Sequence, residues 1–419
     1  MDELRAAILA GAPPDDIANL PLPESYRAAV VRAGATEPDA DPEPDPAEAL
    51  RVEDVPLPPL AADEVYVAVM ASSINYTTVW AAMSRPVSTF GFLRRLGAPH
   101  DRPYHQVGSD AAGVVIRAGA GVRRWRPGDR VVVNPNQVDA EDPSAGRVWG
   151  YETNFGGLAE LAVVRASQLM PKPAHLTWEE AGSVSLCAST AYRMVVSRNG
   201  AGMKQGDVVL VWGATGGVGG FATQFVLNGG GTPVGVVSSP ERAALLRSMG
   251  CERVIDRVAE GYRFWKDAHS QDEAEWRRLG RRIRDLTGGA DPDIVVEHPG
   301  RETMGASVYV TRRGGTIVTC AATSGYLLQI DNRYLWMRQK RLVGSNLADP
   351  IEANAANDLV RSGAVRPTLS TVYPLERAPE AARDMRDNRL PGKLGVLCLA
   401  PTEGLGAEAA TARTRTTTT

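Results

Sequence analysis

Between about residues 190 and 344 the chain alternates short, wholly apolar runs with longer stretches of helical spacing, the pattern of strands covered on both faces by crossover helices. Val208 to Val211 is the first such run, residues 233–239 hold the second, and Arg253 to Asp256 is a third. Residues 293–297 and 315–320 supply a fourth and a fifth strand. This alternation predicts a parallel, doubly wound sheet. From Val55 to about Leu186 the pattern is different. Residues 64–69, 113–116 and 130–133 are short β-branched runs set between glycine and proline turns such as Arg126-Pro-Gly-Asp129, which predicts a compact β-rich domain. Past Ser345 a helical stretch (351–361) and a final strand (393–399) return to that domain. The expected division is therefore residues 1–189 and 345–419 for the β-rich domain and 190–344 for the doubly wound one. Residues 36–48, acidic and proline-rich, read as an exposed loop, and residues 402–419 as a low-complexity, disordered tail.

Where the first apolar run ends, Gly213, Gly216, Gly217 and Gly219 crowd together with Thr215 and Val218 among them, ahead of a helix-compatible segment. Strand, glycine turn and helix N-terminus are the parts that cradle a dinucleotide pyrophosphate, because bare backbone N–H groups and the helix dipole both favour an anion. The second strand ends on Ser238 and Ser239, not on the acidic residue that would accept the ribose hydroxyls of NAD. Arg242 follows, and Arg257 follows the third strand, so hydroxyls and guanidinium groups gather where a 2′-phosphate would lie. NADPH is the expected cofactor, with Glu241 as the one contrary sign.

Composition narrows the classes. The 419 residues are long enough for two domains, and 43% hydrophobic with 23% charged residues describe an ordinary globular chain. A net charge of −3 leaves no basic excess for nucleic acid. Four scattered cysteines fit a reducing compartment without a disulfide framework, and no apolar run is long enough to cross a membrane, so a cytoplasmic protein is expected. Arg277, Arg278, Arg281, Arg282 and Arg284 lie along a charged helical stretch within residues 265–287 that reads first as a solvated face and second as a partner for the phosphates of a large anionic ligand.

Several strings carry a resemblance. Leu22-Pro-Glu-Ser-Tyr-Arg-Ala28, Ser73-Ile-Asn-Tyr76, Trp149-Gly-Tyr-Glu-Thr153, Gln168-Leu-Met-Pro-Lys-Pro173, Ser189-Thr-Ala-Tyr-Arg193, Glu297-His-Pro-Gly300 and Asp331-Asn-Arg-Tyr-Leu-Trp-Met337 resemble those of the crotonyl-CoA carboxylase/reductases, over about residues 20–405. That family lies within the medium-chain dehydrogenase/reductase superfamily, whose α/β architecture joins a β-rich GroES-like catalytic domain to a Rossmann sheet. The resemblance implies an NADPH-dependent enzyme that reduces the double bond of a 2-enoyl-CoA and captures CO2 at the alpha carbon, giving alkylmalonyl-CoAs for polyketide assembly or C2 assimilation. It also implies a homotetramer. No catalytic zinc is expected, since no cysteine precedes position 187 and Gly108-Ser-Asp110 stands where zinc-dependent relatives carry Gly-His-Glu.

By the same resemblance Asn75 and Glu152 match residues that hold CO2, an amide donating directly and a carboxylate ordering a bridging water. Two matching positions depart: Tyr151 stands for a phenylalanine, and Asn346, in Ser345-Asn-Leu-Ala348, for a histidine. Tyr151 brings a hydroxyl that could protonate an enolate, and Asn346 is shorter and does not titrate. A purely reductive enoyl-CoA or acyl-carrier reductase therefore stays open beside the carboxylating reading, with a noncatalytic nucleotide-binding protein and a quinone reductase further off. His298, following the fourth strand, is expected to shape the nicotinamide pocket. Tyr309, Arg313, Arg333 and Tyr334 match positions that resemble coenzyme A contacts. Ala188 replaces an asparagine linked to subunit coupling.

Overall fold

The computed structural model describes residues 1–36, 43–86, 88–95, 102–138 and 146–408. The chain forms two compact units. The first comprises Met1–Ser183, Thr371–Asp387 and Leu394–Thr419; the second comprises Val184–Ser370 and Asn388–Lys393.

In the second unit six strands form one parallel sheet in the order Arg253–Asp256, Thr232–Val237, Val208–Val211, Ile294–Glu297, Thr316–Thr319, Arg341–Gly344. The order reverses between Val208–Val211 and Ile294–Glu297, and the crevice beyond the carboxyl ends of those two strands is where open α/β sheets bind ligands. The four strands from Thr232–Val237 to Thr316–Thr319 in this order are buried at all but an end residue, as their apolar runs require, around a core that includes Leu210, Trp212, Val236, Ile255, Trp276, Ile283 and Val295. The sixth strand, Arg341–Gly344, lies beyond the five that the sequence pattern predicts. Its two leading residues are exposed, so it lacks the apolar run that marks its neighbours.

In the first unit the strand Glu64–Ile74 is buried at every residue after the first. It pairs antiparallel with Ala112–Ala118 and with Leu161–Arg165, and Leu394 returns opposite Ile74. A smaller sheet carries Ser25–Arg32 between Leu50–Pro56 and Tyr104–Gln106.

Several expected boundaries move: Val184 to Ser189 and Asn388–Lys393 belong to the second unit. Residues 345–370 pack with the doubly wound sheet, not with the β-rich domain, because the helix Pro350–Arg361 lies against the helix Ser185–Val195. Arg193 pairs with Glu352 across that contact at 2.8 Å, and Asn199 Nδ2 reaches the same carboxylate at 2.8 Å. The expected loop at 36–48 contains a short helix, Pro46–Ala49, capped by the Asp45 side chain and tied by Arg383 to Asp45 at 2.7 Å. An Asp-Pro pair opens a helix as readily as it breaks one. Residues 37–42 lie outside the described residues. The expected tail is anchored up to residue 408: Trp178 donates its backbone N–H to Leu405, Glu408 donates to Ala174, and Lys172 Nζ reaches the Gly406 carbonyl at 3.0 Å. Only residues 409–419 of that tail lie outside the description.

Candidate functional site

The strand Val208–Val211 runs into Trp212 and Gly213, and the helix Gly217–Asn228 begins at Gly216. Gly213 has φ +53°, and a Cβ there would sit 2.8 Å from His298 Nε2, so the turn needs glycine for conformation and for space. No side chain caps the N-terminus of the helix, which leaves its first N–H groups to a ligand. This cradle fits a pyrophosphate. Thr215 is buried in the turn, whereas Val218 is half-buried on the first turn of the helix.

At the end of the next strand Ser239 caps the helix Pro240–Ser248, accepting from the Arg242 N–H at 3.3 Å. The Arg242 guanidinium lies 3.3 Å from Ser238 Oγ and is braced by the Asn388 side chain at 2.8 Å and by the Asn388 and Leu390 carbonyls at 2.9 Å each. Burial, and then the charge of nearby Arg257, hold its pKa below the usual guanidinium range. Two neighbouring cations favour an anion, with the Glu241 charge acting against them as the smaller influence. Glu241, the contrary sign, points its carboxylate at Ser239 and is exposed.

His298 follows the strand Ile294–Glu297. Its Nε2 lies 2.9 Å from the Trp212 carbonyl, which can only accept, so Nε2 carries the proton. Burial keeps the imidazole pKa below its ordinary value, and the ring stands neutral beside the glycine turn. Beneath it Glu297 is fully buried and accepts from Ser307 Oγ at 2.5 Å, Thr303 Oγ1 at 2.7 Å and the Gly300 N–H at 3.0 Å. Burial raises its pKa to about 7 in spite of those donors. Trp212 Nε1 donates to the same Ser307 hydroxyl at 2.8 Å.

The second constellation lies in the β-rich unit. Asn75 is buried where the strand Glu64–Ile74 gives way to the helix Tyr76–Met83, and its Nδ2 donates to Asp110 Oδ2 at 2.8 Å. The Tyr151–Glu152 turn is brought to the same segment by a glycine contact. Gly150, at φ +73°, lies so close to Gly108 that a Cβ would fall 2.0 Å from the Gly108 carbonyl oxygen, and the Gly108 N–H donates to the Gly150 carbonyl at 3.2 Å. Asn75 and Tyr151–Glu152, 76 residues apart between Asn75 and Tyr151, thus flank the Gly108-Ser-Asp110 string. Glu152 is half-buried; burial raises its pKa, while the Val148 N–H, donating at 2.7 Å, opposes that. Tyr151 is buried, and its hydroxyl donates to the Arg85 carbonyl at 3.1 Å. Trp80 stands 6.4 Å from the Tyr151 ring and 5.4 Å from Tyr76, centroid to centroid, making an aromatic wall along one side of the helix Tyr76–Met83.

Asn346 belongs to the other unit and is exposed. Tyr309 and Tyr334 meet edge to face at 4.9 Å, against Trp276, and Lys340 Nζ caps the carbonyls of Val308 and Tyr309. Arg333 is exposed and paired with Asp331, and Arg313 is exposed beside Gln339 at 3.4 Å. The arginines of the helix Glu273–Thr287 are partly spent on internal pairs: Arg278 with Glu275, Arg282 with Glu260, Arg284 with Asp291. The solvated-face reading fits them. Asp110 and Trp80 join the site although no expectation from the sequence includes them; the carboxylate of Asp110 set between small residues is the signal that points to the first.

Known families match a segment of each unit. The family described as Alcohol dehydrogenase GroES-like domain matches residues 61–174, and the one described as Zinc-binding dehydrogenase matches residues 217–362. Among the described residues no group of three or more His, Cys, Asp or Glu could hold a metal ion. Crotonyl-CoA reductase of Streptomyces collinus is 57% identical over 416 residues, covering 95% of this chain and 93% of that protein. Crotonyl-CoA carboxylase/reductase of Cereibacter sphaeroides is 39% identical, covering 91% and 89%. A solved structure of the 2-octenoyl-CoA carboxylase reductase CinF, in complex with NADP and 2-octenoyl-CoA, is 52% identical with a TM-score of 0.91, covering 96% of this chain and 94% of that one.

Proposed function

Because the chain belongs to the crotonyl-CoA carboxylase/reductase family, within the medium-chain dehydrogenase/reductase fold, we propose that it catalyses the NADPH-dependent reductive carboxylation of a 2-enoyl-CoA to an alkylmalonyl-CoA. NADPH, when bound, supplies a hydride to the beta carbon of the enoyl thioester, which leaves an enolate whose alpha carbon takes the nearest electrophile. The residues of this chain decide what that electrophile is. Gly213, Thr215, Gly216, Gly217, Val218 and Gly219 hold the pyrophosphate, Ser238, Ser239, Arg242 and Arg257 take the 2′-phosphate, and neutral His298 shapes the nicotinamide end. Tyr309, Tyr334, Arg313 and Arg333 offer rings and guanidinium groups to the coenzyme A nucleotide.

The observation that carries the carboxylating reading is the placement of the Asn75 amide and the Tyr151–Glu152 turn on the same Gly108-Ser-Asp110 segment. An amide N–H suits a CO2 oxygen, and the Glu152 carboxylate suits a bridging water. The rival reading took the Tyr151 hydroxyl for a proton source, but that proton is aimed at the Arg85 carbonyl. Asn346 retains a donor and an acceptor for water in place of an imidazole. We place the reaction in the cytoplasm and the enzyme in a homotetramer, by resemblance to the family; no helix among the described residues is long and apolar enough to cross a membrane.

The reductive half is tested by following NADPH absorbance with a series of 2-enoyl-CoAs from four to eight carbons. Oxidation that depends on the enoyl-CoA, with NADH far poorer, is expected. No oxidation with any member of the series, with NADPH binding intact, would leave only a nucleotide-binding role.

A further inference from the structure

Asp110 is fully buried, and its side chain points at the residue read above as the CO2 contact. Oδ2 accepts from Ser73 Oγ at 2.8 Å and from Asn75 Nδ2 at 2.8 Å, and the Asp110 carbonyl accepts from Ser72 Oγ at 2.6 Å. Ser72, Ser73 and Asn75 come from the end of the strand Glu64–Ile74 and the residue after it. Asp110 stands two residues ahead of Ala112–Ala118, the strand that pairs with it. The contact is therefore set by sheet register, not by a flexible loop.

Its consequence is orientation. A primary amide has a donating end and an accepting end of nearly equal size, and a half turn about its last bond exchanges them. A carboxylate only accepts, so the amide nitrogen is the end that faces Asp110. One Nδ2 hydrogen is engaged there, and the directions of the second hydrogen and of Oδ1 are then fixed. For CO2, an uncharged acceptor, only the donating end is useful. Resting on the reading of Asn75 as a CO2 contact, we propose that Asp110 is a positioning residue that fixes the rotation of the Asn75 amide, with its nitrogen end turned toward Asp110, and so sets the division of the enolate between CO2 and a proton. Ser73, sharing the same oxygen, keeps the carboxylate from rotating away.

The test uses the full-length enzyme with NADPH, crotonyl-CoA and a bicarbonate series with carbonic anhydrase, and compares the parent with Asp110→Ala and Asp110→Asn. For Asp110→Ala the ratio of ethylmalonyl-CoA to butyryl-CoA is expected to fall at least tenfold at fixed bicarbonate and the apparent KM for CO2 to rise, with NADPH affinity within twofold of the parent. Asp110→Asn, which can still turn an oxygen toward Ser73 and Asn75, is expected to recover most of the ratio. A ratio unchanged in Asp110→Ala, even if total turnover falls, would show packing alone and overturn the proposal, as would Asp110→Asn falling as far as Asp110→Ala. If Asp110→Ala does not fold, the double variant Ser73→Ala with Asp110→Leu removes the acceptor at similar volume, and the same ratio decides. A parent that makes no ethylmalonyl-CoA would overturn the carboxylating reading and this proposal together, whereas a carboxylating parent with an unmoved variant overturns this proposal alone.

Discussion

Tyr151 shows how one side-chain bond changes a reading made from residue type. In the sequence it is a phenol where the family resemblance leads one to expect a phenylalanine, and the phenol's chemistry suggests protonation; in the structure its O–H is directed at the Arg85 carbonyl. Tyr151→Phe is accordingly expected to lose about 1 kcal/mol of stability in urea denaturation, the worth of one hydrogen bond, and to leave the proportion of carboxylated product within about twofold. A marked rise in carboxylation would restore the hydroxyl as proton source. Glu297 carries a second prediction. Its pKa in the folded chain is raised by burial from 4.5 to about 7. Its contribution to stability is thus fully present below pH 4.5 and is lost as pH rises through 7. Between pH 5.5 and 8.5 the parent should lose about 2 kcal/mol relative to Glu297→Gln, which the difference between their denaturation curves at the two pH values measures. His298 titrates in the opposite sense, its lowered pKa costing stability at acid pH, and the comparison cancels it because both proteins keep it. Asn75, Glu152 and the glycine turn were legible as residues because their chemistry is local to a short string. Asp110 was not, because it meets Asn75 from 35 positions away, through a strand register that no string records.

Among the elements, the buried parallel strands were the most legible. An apolar run of four or five residues between a glycine turn and a helix has few other uses, and four such runs became Val208–Val211, Arg253–Asp256, Ile294–Glu297 and Thr316–Thr319 within a residue or so. Edges were harder. Arg341–Gly344 is solvent-facing and mixed in polarity, and the helix Pro46–Ala49 is hidden in a proline-rich acidic string until Asp45 is seen capping it. The helix Pro350–Arg361 is legible as a helix from its spacing, but its unit is not, because the Arg193–Glu352 pair that fixes it lies 159 residues across the sequence. At this scale the turn after Thr232–Val237 gives the cofactor prediction. Arg257 is exposed and close enough to Arg242 to lower its pKa, so Arg257→Ala removes a phosphate partner without removing the brace at Asn388. NADPH should then bind about tenfold more weakly, in line with the loss of one charge-assisted hydrogen bond, while NADH affinity stays the same. Equal weakening of both cofactors in a fluorescence titration would place Arg257 away from the 2′-phosphate.

For the whole molecule, the sheet ends in a strand with an exposed edge. Leu342 is 39% exposed on it, and Trp336 and Met337, just before it, are 63% and 56% exposed. Large apolar side chains beside an unpaired strand edge are what subunit contacts cover. If the proposed homotetramer uses this edge, Leu342→Asp lowers the assembly state in sedimentation without unfolding the chain, and an unchanged sedimentation coefficient would contradict a subunit contact here. The central claim is that this family member still fixes CO2 with asparagine at 346 and tyrosine at 151. The measurement that tests it most directly is mass spectrometry of the products of NADPH-driven turnover of crotonyl-CoA at saturating bicarbonate with carbonic anhydrase. Ethylmalonyl-CoA as the main product is the predicted result, and butyryl-CoA as the sole product would contradict it.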